Sequence, residues 1–340
     1  MRVGVLGINH KLASLHLREL LAKICQRRLH PGQSAHGEHS FVPLSTCNRT
    51  EVYFSSEDLA ATHSYLLSIL RHDVNEDFDQ KLYSYFGQDC LLHLCRVTAG
   101  LDSAIVAETE IQGQVKCAYE NAQEYSPLPF ELHYLFQKSL NIAKKARVVL
   151  PLKPGLPDLS HAVFQTGHHL FRAKLDPKVL FIGASEINQK VLGYLKSKIQ
   201  TSIHLCNRSH EAGKLIADQY GINFIEWDHL HTWHHYDWII LGTKSSEFLI
   251  QRESLASNPF GRKLIIDLSV PRNVDPDLGK HPQITLLNID QINRRLKFSR
   301  KSLSQSLLAA EQLVIENSHL QMTLFHEKTK HHLRICAISA

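Results

Sequence analysis

Three short, uninterrupted apolar runs in the second half of the chain constrain its fold most: Val179-Leu180-Phe181-Ile182, Trp238-Ile239-Ile240-Leu241 and Leu264-Ile265-Ile266. A strand with one face in water alternates apolar and polar residues, whereas a strand with no polar position has both faces covered. Helical segments separate these runs, and buried strands alternating with helices give a doubly wound parallel sheet. The first half has another texture. Val3 to Ile8 is a short apolar run, followed by a helical segment from Ser14 to Arg28 with Leu17, Leu20, Leu21 and Ile24 at helical spacing and Ser14 placed to cap it. Residues 41–46 and 50–54 are rich in strand formers and flank the polar Cys47-Asn48-Arg49, which puts the cysteine in a loop between two strands. Helices are predicted near 56–70, 88–99, 110–123 and 129–149, and the breaker-rich stretch from Pro151 to Pro157 ends the last of them.

The fold class is therefore α/β, with an α+β catalytic domain over 1–150 and a Rossmann-like doubly wound domain over 151–288. From about Asn288 the remainder reads as one helical pattern, with Leu303, Leu307, Ala310 and Val314 alternating by four and three, a long helix over 289–340. No apolar run approaches the roughly 18 residues of a membrane span, and the amino terminus lacks a secretory signal, so the expectation is a cytoplasmic protein without a membrane partner. Seven cysteines, an odd number without paired ligand spacing, argue against a disulfide framework. Lys plus Arg exceed Asp plus Glu by 38 to 33, which permits a polyanionic partner. The histidine-rich run from Asp228 to His235 has no carboxylate or cysteine at a ligand spacing beyond it, so no metal is predicted.

Lys178 to Ile182 runs into Gly183-Ala184-Ser185-Glu186-Ile187-Asn188, a buried strand entering a glycine and then a helix, as a phosphate-binding turn requires. Only the first glycine of the three-glycine fingerprint is present: Ser185 and Asn188 stand where the second and third would be. The next strand ends in Asn207-Arg208-Ser209, some 25 residues after Gly183, where an NAD enzyme places a ribose-binding acid. An arginine there matches a 2'-phosphate and favours NADPH. Gly242-Thr243 and Asp267 to Arg272 end the following strands at the same carboxyl edge and are expected to line the nicotinamide half of the site.

Leu44-Ser45-Thr46-Cys47-Asn48-Arg49-Thr50-Glu51-Val52-Tyr53 combines a thiol with a cation two residues on. A nearby positive charge increases the thiolate fraction, the form that attacks carbonyls. This segment, together with Gly7-Ile8-Asn9-His10-Lys11, Gly100-Leu101-Asp102-Ser103 and Ile111-Gln112-Gly113-Gln114-Val115-Lys116, in that order along the chain, resembles the glutamyl-tRNA reductase family. The likeness continues through Asn207-Arg208 and Val270-Pro271-Arg272. It implies NADPH-dependent reduction of glutamyl-tRNA(Glu) to glutamate-1-semialdehyde, at the start of tetrapyrrole synthesis, through a thioester on Cys47.

The resemblance further implies that Thr46 and Asn48 help hold the substrate, that Arg49 grips its α-carboxylate, and that His93 acts at the reacting carbonyl. Ser103, Glu108, Glu110 and Gln114 are implied to line the glutamate pocket. It also implies two domains facing across a cleft, with hinges near 150–158 and 285–295, a homodimer, and glutamate-1-semialdehyde aminotransferase as a partner. This sequence departs from the family in three places: Ala107-Glu108-Thr109-Glu110 replaces Gly-Glu-Pro-Gln, Ser185 replaces a glycine, and the dimerisation region after the linking helix is short. Arg294, Arg295, Lys297, Arg300 and Lys301 form a basic cluster that reads as a solvated helix face or as phosphate contacts. Two rival readings stand beside the reductase: a shikimate-dehydrogenase-like NADP oxidoreductase, and a catalytically inactive tRNA- or tetrapyrrole-responsive binding protein.

Overall fold

The computed structural model describes residues 1–29, 40–74, 76–104, 110–125, 127–150, 158–254, 261–299 and 304–338. The chain divides into two compact units, Met1–Leu156 with Lys301–Ala340, and Pro157–Arg300.

The first unit is built on an antiparallel sheet in which β2 (Ser40–Ser45), β3 (Arg49–Ser55), β1 (Val3–Asn9) and β4 (Tyr83–Phe86) lie side by side in that order. One face, carrying Leu6, Ile8, Val52 and Phe54, packs on α1 (Leu15–Arg28) and α2 (Leu59–Asp73). Ser14 caps α1 as its position predicts, accepting the Leu17 N–H at 3.3 Å. The other face, carrying Val3, Val5, Val42, Leu44 and Tyr53, packs on α3 (Gly87–Ala99), α4 (Glu110–Tyr125) and α5 (Phe130–Val149). Both central strands are therefore buried on both sides, and every residue of β1 and of β3 is buried. That closeness requires small residues. A Cβ on Gly4 would lie 2.5 Å from the Phe54 ring, and one on Gly7 would lie 2.7 Å from the Glu51 side chain and 3.0 Å from Tyr83.

The helical pattern that begins after Asn288 resolves into two helices, α9 (Ile289–Ser299) in the second unit and α10 (Ser304–Ile338) in the first. α10 lies along α3 and α5, burying Ala310, Val314, Met322 and Phe325, and the Phe325 ring meets Tyr134 edge-on at 5.0 Å. Glu311 of α10 forms an ion pair with Arg96 of α3 at 2.5 Å.

The second unit is an all-parallel sheet in the order β10 (Ile284–Asn288), β9 (Lys263–Asp267), β8 (Trp238–Leu241), β5 (Val179–Ile182), β6 (Ile203–Cys206), β7 (Asn223–Ile225). This is the doubly wound order, and the chain reverses direction across the sheet between β5 and β8. The three apolar runs of the sequence are β5, β8 and β9, buried throughout. α6 (Leu159–Phe171), α7 (Glu186–Lys198) and α8 (His210–Tyr220) supply cover. The histidine-rich run forms a 3-10 helix over Trp227–His235 that buries Trp233 and leaves His229, His231 and His235 exposed. Among the described residues no group of three His, Cys, Asp or Glu is placed to hold a metal ion, and no helix is long and apolar enough to cross a membrane.

Candidate active site

The β2–β3 hairpin closes where the Thr46 N–H donates to the Arg49 carbonyl at 2.8 Å, leaving Cys47 and Asn48 as its tip. Thr46 Oγ1 accepts the N–H groups of Asn48 and Arg49 at 3.1 and 3.3 Å, which rigidifies the turn from inside. From outside, the Asn48 carbonyl accepts the His10 N–H at 2.8 Å, and the Cys47 carbonyl accepts from the buried Arg18 guanidinium of α1. The Cys47 thiol is partly exposed on this tethered tip. Cys25, Cys90, Cys95 and Cys206 are buried instead, and burial pushes Cys25, Cys95 and Cys206 up to about 12, so they stay protonated at neutral pH.

Arg49, the cation two residues beyond the thiol, turns back into the protein. Its side chain is fully buried, with one nitrogen on Glu51 at 2.8 Å and another on both the carbonyl and the carboxylate of Asp102, at 2.6 and 3.1 Å. Lys11 pairs with the other Asp102 oxygen. Burial opposes ionisation of Asp102, but Arg49 and Lys11 together hold its carboxyl below the usual range. Asp102 thereby joins the end of β1, the start of β3 and the segment after α3, so the Gly7, Cys47 and Gly100 segments, far apart in sequence, meet in one place.

Glu51 is the residue whose importance sequence reasoning missed. Arg49, Glu51 and Tyr53 alternate along β3 onto the face that meets α3. Glu51 lies opposite Gly7 of β1, which lies opposite Tyr83 of β4, so the Glu51 and Tyr83 side chains reach one another over the space that glycine leaves. Oε1 accepts from Arg49 at 2.8 Å, from the Tyr83 hydroxyl at 2.5 Å and from His93 Nε2 at 2.8 Å, while Oε2 accepts from the Tyr53 hydroxyl at 2.7 Å. Burial alone would raise the Glu51 pKa. The Arg49 and His93 charges and the hydrogen bonds from His93 and Tyr83 more than reverse this and hold the carboxyl well below the usual range. The sequence signal was two opposite charges, at i and i+2, inside a strand otherwise made of strand formers.

Ser103, beside Asp102, is 4% exposed, and among the described residues neither its Oγ nor the buried Nε of Arg49 has a hydrogen-bond partner. Buried donors left unpaired are costly, which marks them as groups a polar ligand would satisfy. Glu110 opens α4 half-buried and Gln114 is exposed one turn along it, while Glu108 lies outside the described residues. Residues 151–157 of the expected first hinge lie outside them too, and of the basic cluster only the Arg294 side chain is described, exposed on α9.

In the second unit Gly183 ends β5 at φ +92°, and a Cβ there would lie 2.5 Å from the Gly242 carbonyl at the end of β8. Ser185 is the N-cap of α7, its Oγ accepting the Asn188 N–H at 3.4 Å, which explains a serine in place of the second glycine. Asn188 is buried and donates to the carbonyls of Ile182 and Gly183, both at 2.8 Å. The space that a third glycine gives in the helix is recovered at Gly242, where a Cβ would meet Asn188 Oδ1 at 2.6 Å. Glu186 and Ile187 form the first turn of α7. Asn207 Oδ1 accepts the Ala184 N–H at 3.1 Å and its Nδ2 donates to the Ser209 carbonyl at 2.8 Å, so the turn and the end of β6 are fastened together, with Arg208 exposed between. Thr243 is held by Ser269 and Asn273 at 3.0 and 2.5 Å. Asp267 turns inward and accepts N–H groups from Ser269, Asn273 and Val274 at 2.7 to 3.0 Å, so it shapes the loop after β9. A left-handed glycine, a capped helix start and an exposed arginine beside the next strand fit a phosphorylated dinucleotide.

Residues 6–149 match the model of the glutamyl-tRNAGlu reductase N-terminal domain, and residues 166–295 match that of shikimate / quinate 5-dehydrogenase. A glutamyl-tRNA reductase from Akkermansia muciniphila is 31% identical over 327 residues, covering 92% of this chain and 95% of that protein. The chain belongs to the glutamyl-tRNA reductase family. A second glutamyl-tRNA reductase, from Desulforudis audaxviator, is 30% identical over 92% of this chain and 73% of its own length. The solved glutamyl-tRNA reductase from Methanopyrus kandleri shares the fold, with a TM-score of 0.50 at 23% identity over 98% of this chain and 82% of that one. A shikimate-dehydrogenase-like reading accounts for the second unit alone, whereas membership of the glutamyl-tRNA reductases accounts for both.

Proposed function

We propose that Cys47 takes the glutamyl group from glutamyl-tRNA(Glu) as a thioester and that this thioester is what the protein reduces. The activity is that of a glutamyl-tRNA reductase: NADPH-dependent formation of glutamate-1-semialdehyde in tetrapyrrole biosynthesis. The observation that supports Cys47 is its partly exposed thiol on a tethered hairpin tip beside a buried polar array with two donors that have no partner among the described residues.

Attack of Sγ on the ester carbonyl forms a C–S bond, and the C–O bond to the tRNA ribose breaks with its electron pair going to oxygen. The thiol proton balances that oxygen. An aminoacyl ester is already activated, so the exchange needs no ATP. His93, with Nε2 on Glu51, is the group to carry the proton. The α-carboxyl of an aminoacyl-tRNA is the ester itself, so the carboxylate left for Arg49 is the γ-carboxylate of the glutamyl side chain, not the α-carboxylate. Its unpaired Nε–H and the Ser103 hydroxyl are suited to that anion. Thr46 and Asn48 hold the turn, and Glu110 and Gln114 remain substrate contacts only by their place in the family motif.

The turn from Gly183 to Asn188 would hold the dinucleotide pyrophosphate, Asn207, Arg208 and Ser209 the ribose phosphate, and Thr243 the nicotinamide half. What the bound cofactor contributes is one hydride to the thioester carbonyl. The C–S bond of the resulting hemithioacetal on Cys47 then breaks, freeing the aldehyde and regenerating the thiol.

Alkylating Cys47 with iodoacetamide is expected to abolish aldehyde formation while NADPH binding, followed by cofactor fluorescence, persists. Undiminished activity of the alkylated protein would sink the thioester reading. Arg208→Ala is expected to raise the KM for NADPH by roughly 10- to 100-fold, the worth of charge-assisted hydrogen bonds, and to leave the KM for NADH nearly unchanged. Equal effects on both cofactors would remove Arg208 from the phosphate site. Exposed Leu308, Leu320 and Leu324 on α10 support a homodimer. The reactivity of an α-amino aldehyde supports hand-over to glutamate-1-semialdehyde aminotransferase, and both steps are assigned to the cytoplasm.

A further inference from the structure

Four donors from two strands and one helix converge on a single buried carboxylate. Arg49 and Tyr53 come from β3, Tyr83 from β4 and His93 from α3, and both carboxylate oxygens of Glu51 are engaged. An ion this deeply buried is retained only where its hydrogen bonds are satisfied and its charge is matched. Glu51 also dictates the sequence around it. Gly7 has no room for a Cβ because Glu51 and Tyr83 close over it. None of this is needed merely to join the sheet to α3, for which apolar residues such as Val5 and Leu94 suffice.

Rotation of the His93 ring is restricted on two sides. Tyr85 stacks on it at 4.8 Å with the planes 29° apart, and Tyr83 is tilted against it at 5.2 Å. Nε2 faces an acceptor-only carboxylate, so Nε2 must carry a proton whatever the state of the other nitrogen. Nδ1 has no hydrogen-bond partner among the described residues. Every proton His93 gains or loses therefore passes through Nδ1.

We propose that Glu51 is the positioning residue of this reductase: it fixes the orientation and tautomer of His93, so that acyl transfer to Cys47 uses Nδ1 alone. This rests on the reading that Cys47 and His93 carry the acyl transfer. A neutral amide at position 51 keeps the shape but loses the charge and one of the two acceptor atoms, so it no longer holds His93 Nε2–H as the carboxylate does.

The test compares Glu51→Gln, His93→Asn and the double variant for semialdehyde formation from glutamyl-tRNA and NADPH, with thermal unfolding as a folding control. Glu51→Gln is expected to lower kcat about 10²-fold or more, as loss of a tautomer-fixing carboxylate does elsewhere, with the KM for glutamyl-tRNA changing only slightly. The double variant is expected to be no slower than His93→Asn alone, because a positioning residue has nothing left to position. A merely structural carboxylate would instead multiply the two losses, which would overturn the proposal, as would an active Glu51→Gln protein. If that variant does not fold, nitrogen NMR of histidine-labelled native protein decides. The His93 signals, identified by their loss in His93→Asn, must show a proton fixed on Nε2 and a bare Nδ1 at high pH; the opposite tautomer overturns the proposal. Absence of a glutamyl adduct on wild-type Cys47 brings down the thioester reading and this proposal with it, whereas a normal adduct alongside an unimpaired Glu51→Gln brings down this proposal alone.

Discussion

Cys47→Ser lowers kcat/KM for semialdehyde formation by roughly 10⁴-fold or more, the scale on which enzymes respond to loss of a covalent nucleophile. A serine hydroxyl is far less acidic and less nucleophilic than a thiol, and an oxygen ester, unlike a thioester, is a poor hydride acceptor. The substitution is nearly isosteric at a partly exposed position, and the turn is held by the Thr46 hydroxyl and by backbone groups, so the fold is expected to stay within about 0.5 kcal/mol of wild type. Chemical denaturation separates the two effects. A variant that is inactive because it is unfolded would not bear on the mechanism, and a folded variant with more than a few per cent of wild-type activity would contradict it.

Gly183→Ala splits the reaction in two. At φ +92° an alanine is strained by about 1–2 kcal/mol, and its methyl carbon would fall 2.5 Å from the Gly242 carbonyl, a backbone atom that cannot swing aside. Relief requires β5 and β8 to part where the dinucleotide turn begins. Reduction is expected to fall by at least about 10²-fold, through loss of NADPH binding, as expected when a buried polar turn is displaced by an ångström or so. Acylation of Cys47, which belongs to the first unit, is expected to proceed at the wild-type rate. The measurement pairs a labelled-glutamate adduct assay with an NADPH titration, and a variant that lost both activities equally would show that the two steps are not divided between the units in this way.

The parallel sheet was legible because burial on both faces leaves a mark in sequence: β5, β8 and β9 contain no polar residue until Lys263 and Asp267 at the two ends of β9. The hairpin carrying Cys47 was legible because strand formers stop and resume around three polar residues. What eluded the sequence was partnership. Arg49 reads as a cation for the neighbouring thiol, yet its charge is matched by Glu51 and Asp102, and the guanidinium that touches the turn belongs to Arg18, twenty-nine residues earlier. Glu51 reads as an ordinary strand residue until Tyr83 and His93 are brought to it by pairings that no local pattern encodes. Ser185 and Asn188 look like defects in a glycine fingerprint, but one caps α7 and the other ties the turn, with Gly242 supplying the missing space from a different strand. The reading as an inactive binding protein draws on the altered glycine turn and the short carboxyl end, and this compensation answers the first of them.

The C-terminal pattern teaches a similar lesson. Helical spacing at Leu307, Ala310 and Val314 predicts an apolar stripe but not what covers it, and the stripe packs on α3 and α5 of the first unit. α3 thus presents His93 to Glu51 and also packs against the α10 stripe.

The most direct measurement is peptide mass spectrometry of the wild-type protein after incubation with labelled glutamyl-tRNA, with and without NADPH. Without the cofactor the label is predicted on the Cys47 peptide as a hydroxylamine-sensitive thioester, and with it the label is predicted to leave as glutamate-1-semialdehyde. Semialdehyde produced while the Cys47 peptide never carries label, or carries it in a form that added NADPH cannot discharge, would contradict the account.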